Sequence, residues 1–162
     1  MWLIVLLAVV AAAILSQSLG GVKVAMAVPL SPGEDVNDEL PLDVTVKPGV
    51  DLSGVQWNAM RPLVLAVLRV WQAAGASSIT ITSGVEGNHP GRGATSLHPL
   101  GLALDFRTYD APSDVKTLAR DVLDQLGSGY DLIVESDHLH GEYDGQWHTQ
   151  IGVISNGAVV RV

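Results

Sequence analysis

The chain has no cysteine, a single phenylalanine and only nine basic residues among 162. Without cysteine there is no disulfide and no thiolate metal site, so any bound metal must be held by imidazole and carboxylate. The shortage of Lys and Arg, with a formal charge of -8, argues against a nucleic-acid surface, because phosphate contacts need clustered cations. Internal repeats are also lacking. Missing as well is the charged segment that normally precedes a signal-peptide core. Only the α-amino group stands before the apolar run from Trp2 to Leu15.

That run is nevertheless the clearest feature of the N-terminus. It is short for a membrane span of about 20 residues and suits the core of an export signal. Ala25-Met26-Ala27 has the small-x-small form of a cleavage site. Residues 1–27 are therefore expected to be a signal peptide or N-terminal membrane anchor, and the protein to be extracytoplasmic, secreted or held at the membrane. The alternative is a buried core helix. Residues 28–50 read as an acidic linker broken by Pro29, Pro32, Gly33, Pro41, Pro48 and Gly49. Within it, Leu42–Val46 alternates as a short strand does.

A single domain is expected over residues 51–162. Ser53 and Gln56 have capping-box spacing ahead of a helix that carries Leu63, Val64, Val67, Leu68 and Trp71 and ends at Gly75. Pro62 requires that helix to kink or restart. Ser113 caps a second, amphipathic helix closed by Gly127. Strands are predicted at 78–82, 101–106, 131–134, 138–143 and 149–154, with 158–162 joined as a hairpin through Asn156-Gly157. The fold class expected is α+β, with a small antiparallel sheet and two or three helices.

The five histidines are unevenly placed. His98 precedes Asp105 by seven residues. His138 and His140 lie two apart on a predicted strand, which points both imidazoles to one face, with Glu135, Asp137 and Glu142 close by. Asp105 sits among Leu102, Ala103, Leu104 and Phe106, so it should be buried, and a buried carboxylate needs a partner. Arg107 is one candidate partner and a metal is the other. Arg107 is also a candidate for binding substrate.

The string Ser96-x-His98-x-x-Gly101-x-Ala103-x-Asp105 resembles the first metal motif of the D-Ala-D-Ala carboxypeptidase and endolysin family of zinc peptidases. That family includes the vancomycin-resistance dipeptidases and many phage lysins. Ile81-Thr82-Ser83-Gly84 resembles the strand before its loop, and Asp137-His138-Leu139-His140-Gly141-Glu142-Tyr143 its second metal motif. The likeness covers roughly residues 52–144. It implies a D-Ala-D-Ala metallopeptidase-like fold and Zn2+ held by His98, Asp105 and a C-terminal histidine, with the fourth position left for water. It also implies an acidic base three residues before the last ligand. Asp137 with His140 satisfies that rule, and so does Glu135 with His138. The first register is preferred, because Gly141-Glu142-Tyr143 follows the ligand as in the family. His138 then faces the same site as a catalytic residue.

Arg92 and Ser96 are candidates for binding substrate, Arg92 because a guanidinium matches a terminal carboxylate. Ser96 could also hold His98 in place. Glu86, Asn88 and His89 share the loop, and His148 reads as a surface or strand residue. The activity implied is cleavage of D-amino-acid-containing peptidoglycan peptides by a monomer, as carboxypeptidase or endopeptidase. The alternative is a non-catalytic, metal-stabilised cell-wall binding or structural module.

Overall fold

The structure, a computed structural model, describes residues 40–86, 96–146, 150–155 and 158–161. Seven strands and two helices follow in the order β1 (Val44–Val46), α1 (Trp57–Ala73), β2 (Ile79–Ser83), β3 (Ala103–Arg107), α2 (Val115–Leu123), β4 (Tyr130–Val134), β5 (His138–Tyr143), β6 (Gln150–Ser155) and β7 (Ala158–Arg161). One 3-10 turn, His98–Leu100, precedes β3. The fold is α+β. All seven strands form one sheet in the order β1-β2-β3-β5-β4-β6-β7.

The sheet is mixed rather than antiparallel. β1 runs parallel to β2 and β4 parallel to β6, while the central β2-β3-β5-β4 pairs are antiparallel. β1 also lies inside the stretch read as linker, so the folded body begins ahead of Asp51. Val44 is buried there, and Thr45 Oγ1 donates to the Ile79 carbonyl at 3.1 Å. β6 and β7 pair from Gly152↔Arg161 to Ser155↔Ala158, as the expected hairpin does. Its turn, Asn156-Gly157, lies outside the described residues.

Period-2 burial divides the sheet into two faces. Ile79, Ile81, Leu104, Phe106, Leu132 and Leu139 are buried and join one core with Met60, Leu63, Val64, Val67 and Trp71 of α1 and Leu118 and Val122 of α2. Each fully buried side chain of this size contributes about 1.5–3 kcal/mol. That burial explains how α1 tolerates Pro62, which lacks the amide for one helical bond. The helix runs through it without restarting. Tyr130 ties β4 to the start of α1, its hydroxyl donating to the Ala59 carbonyl at 2.7 Å.

Both expected helix caps differ from the sequence reading. Ser53 turns back on Asp51, donating to Oδ1 from its amide at 2.8 Å and its hydroxyl at 2.7 Å, and Gln56 precedes α1 without a side-chain cap. For α2 the cap is Asp114, one residue beyond Ser113; its carboxylate accepts from the Thr117 amide at 3.0 Å. A carboxylate there also suits the positive end of the helix dipole. Among the described residues no helix is long and apolar enough to cross a membrane; the apolar N-terminal run lies outside them.

Candidate metal centre

The face of the sheet away from the helices carries the polar residues. Asp105 on β3 and His140 on β5 are directly opposed in register, and Arg107 is opposed to His138. Opposed residues of an antiparallel pair project to the same side. Asp105 is therefore buried on the same face as His140.

His98 reaches this face from the 3-10 turn before β3. The Gly101 amide donates to the His98 carbonyl at 2.8 Å, and the Gln56 amide to the Gly101 carbonyl at 2.9 Å. Gly101 has φ of +70°, and a Cβ there would overlap the Gly54 carbonyl oxygen. Only glycine combines that backbone with that approach. Ala103, fully buried, stands opposite Glu142, and its small side chain leaves the acid room to reach His140.

His98, Asp105 and His140 come together. Each offers a ligand atom, and these atoms all lie within 4.8 Å of one another. Asp105 Oδ1 is 2.9 Å from His140 Nδ1 and 3.3 Å from His98 Nε2, and the two nitrogens are 3.2 Å apart. The outer nitrogens show why this group suits a cation. His98 Nδ1 is 2.6 Å from the Gly84 carbonyl oxygen, which only accepts, so Nδ1–H donates to it. His140 Nε2 donates likewise to Glu142 Oε2 at 2.9 Å. In the neutral imidazoles both inward nitrogens are then lone pairs, facing each other and a carboxylate oxygen. Three acceptors at this separation repel unless a positive charge lies among them. Such outer-nitrogen partners are also what fix the tautomer of metal-binding histidines.

The electrostatics agree. Burial alone pushes Asp105 upward, but hydrogen bonds from His140 and His98 and the nearby imidazole charges outweigh it and hold the carboxyl well below its usual range. Burial alone depresses His140, yet hydrogen bonds to Asp105 and Glu142 outweigh it and raise the imidazole to about 9. The two carboxylates thus favour a proton on His140 that burial alone would expel. These residues could hold a metal ion, which would displace that proton.

His138 lies beside the group. Its Nε2 is 3.6 Å from Asp105 Oδ1 and 3.6 Å from Glu135 Oε2, and it is buried with no hydrogen-bond partner. Its Nδ1 donates to Asp137 Oδ1 at 2.9 Å. Asp137 was expected to act directly beside the metal. Its side chain is instead 81% exposed, with His138 between it and the group.

Other expectations fall elsewhere. Arg107 does not pair with Asp105; it faces Asp110 at 3.9 Å and lies over the Tyr109 ring. Glu86 braces the backbone, accepting from the Asp51 amide at 2.7 Å and the Gly84 amide at 3.1 Å. Ser96 does not hold His98, since its buried hydroxyl has no hydrogen-bond partner among the described residues. Asn88, His89, Arg92 and His148 lie outside the described residues. Sequence reasoning missed the carbonyl of Gly84, which no side-chain pattern reveals, and the grip of Glu142 on His140. The latter was detectable, because a strand residue two beyond His140 shares its face. Compared with protein-family models, curated proteins and solved structures, the chain matches none.

Proposed function

We propose that this protein is a zinc-dependent peptidase acting outside the cytoplasm on D-amino-acid-containing peptides of peptidoglycan. The observation that carries the reading is the convergence of three ligand atoms, from His98, Asp105 and His140, with a buried nitrogen beside them, His138 Nε2, that has no hydrogen-bond partner among the described residues. Two imidazoles and one carboxylate form a donor set suited to zinc, and three protein ligands leave an open position. A bound zinc supplies a Lewis acid and lowers the pKa of its water to about 7.

The chain's own residues have separable tasks. His98, Asp105 and His140 hold the ion, while Gly84 and Glu142 orient the two imidazoles. His138 Nε2 accepts the proton of the attacking water and returns it to the leaving amine. Asp137, on Nδ1, keeps that tautomer and stabilises the imidazolium; Glu135 adds negative charge beside Nε2. The base proposed is thus His138, with Asp137 acting through it. The substrate class rests on the likeness of residues 96–105 and 137–143 to the peptidase motifs, and the location on the apolar run at residues 2–15.

The test uses the full chain. Bound zinc is measured, then release of D-Ala and cleavage of peptidoglycan fragments, for wild type and His138→Ala. One zinc per chain, with turnover that collapses in the variant, is expected. Stoichiometric zinc with no turnover by wild type on either substrate would sink the peptidase reading and favour a metal-stabilised binding module.

A further inference from the structure

Arg107 ends β3 two residues beyond Asp105 and stands opposite His138. Alternation puts all three on the same face. Its guanidinium is little used inside the fold. Nε is buried and meets no acceptor among the described residues. The ion pair to Asp110 spans 3.9 Å to a side chain 54% exposed, a geometry that contributes little. The head group lies instead over Tyr109, with Cζ 4.7 Å from the ring centroid. A guanidinium held over an aromatic face leaves the N–H donors of its fork available to another partner. Tyr109 is itself 76% exposed, so this cation and its platform stand where the site meets solvent.

The charge balance gives the fork a purpose. Asp105, Glu135, Asp137 and Glu142 surround the two strand histidines. An anionic substrate approaching that cluster needs a fixed cation, and Arg107 is the one adjoining His138 in register. We infer that Arg107 anchors a carboxylate of the substrate, one or two residues beyond the bond cleaved at the metal centre. The inference rests on the peptidase reading and narrows it to peptides bearing a free carboxylate there. The reach agrees: Asp105 and Arg107 are separated by two strand residues, about 6.6 Å, and an extended peptide advances about 3.5 Å per residue. A guanidinium fork grips a carboxylate through two parallel N–H···O bonds.

Three synthetic probes test this on the zinc-loaded full chain: an acetylated tripeptide ending in D-Ala-D-Ala as free acid, its C-terminal amide, and an amide with D-Glu in last place. Wild type should prefer the acid to the amide by about 10–100-fold in kcat/KM. Arg107→Gln should bring that ratio near one, mainly through KM, and Arg107→Lys should restore part of it. Preference for the D-Glu amide instead would assign the anchor to a side-chain carboxylate. A ratio unchanged in Arg107→Gln, or no wild-type preference for either carboxylate, overturns the inference. If no probe is cut, calorimetric titration with N-acetyl-D-alanine against its amide decides the anchor separately from the peptidase reading. Acid-selective binding that survives zinc removal and is lost in Arg107→Gln supports it. Binding that follows the zinc instead, or no binding, refutes it.

Discussion

Replacing Gly101 by alanine tests whether the turn carrying His98 is set by backbone constraint. Two costs are separable. An L-residue held at a φ of +70° costs about 1–2 kcal/mol. The new Cβ would also stand 2.9 Å from the Gly54 carbonyl carbon and 3.0 Å from Val55 Cα, and would overlap the Gly54 oxygen. Backbone cannot rotate away as a side chain can, so the two segments must part. The bond from the Gln56 amide to the Gly101 carbonyl is then strained or lost, at about 1–3 kcal/mol for an amide left unpaired. The sum is about 2–5 kcal/mol, a large share of a stability of about 5–15 kcal/mol. Gly75 supplies the control, with φ of +110° and nothing within 4 Å of an added Cβ. Gly75→Ala should show the conformational cost alone. Urea unfolding of both variants in EDTA gives the difference, and zinc competition gives the effect on the site, expected to be at least 10-fold weaker for Gly101→Ala because His98 shifts with the turn. If Gly101→Ala is no less stable than Gly75→Ala and binds zinc as wild type does, the reasoning fails.

His140→Ala should abolish stoichiometric zinc, whereas His138→Ala should keep it and lose about 10²–10⁴-fold in kcat; the reverse metal result would make His138 the ligand and Glu135 the base. Glu142→Gln should weaken zinc about 10–100-fold, read by chelator competition, since an amide no longer secures Nε2 as donor; wild-type affinity would dismiss its orienting role. In metal-free protein the raised His140 group stabilises the fold below its ordinary value near 6.5, and this contribution is lost as pH rises through about 9. The lowered Asp105 group contributes above the ordinary carboxylate range and is lost as pH falls through its depressed value. Thermal unfolding in EDTA should therefore weaken towards both extremes, and zinc should remove the alkaline loss; identical alkaline profiles with and without zinc would count against the linkage. Tyr130→Phe should cost about 1 kcal/mol in urea unfolding by removing its bond to the Ala59 carbonyl, and no change would mean that water replaces it.

How much could be read beforehand depended on how local each constraint is. His98, Gly101, Ala103 and Asp105 fall in one short string whose parts act on one another directly, through a turn, a tight approach and the strand it feeds. The choice between His138 and His140 depended on cross-strand register, and the pairing of Asp105 with His140 is a long-range fact. The family likeness singled out Asp137 as an acid three residues before His140 but not its side-chain direction, which the turn before β5 sends outward. The parallel pairs of the sheet were illegible for the same reason, since alternation reports burial and not the neighbour's direction. Both caps shifted because a nearby carboxylate intervened: Asp51 accepts from Ser53 itself, and Asp114 caps α2 in place of Ser113.

The sheet order also bears on how long a bound ion stays. β3 and β5 are third and fourth of seven strands, each hydrogen-bonded on both sides, so Asp105 and His140 can separate only when the centre of the molecule opens. His98 rides on a single turn outside the sheet, held chiefly by backbone amides at Gly101 and Leu102 and by the Gly84 carbonyl. Opening of such a turn is a local event, far more frequent than global unfolding. The lifetime of the ion is thereby decoupled from the lifetime of the fold: exchange should follow the breathing of one turn while the amides of β5 remain protected from deuterium.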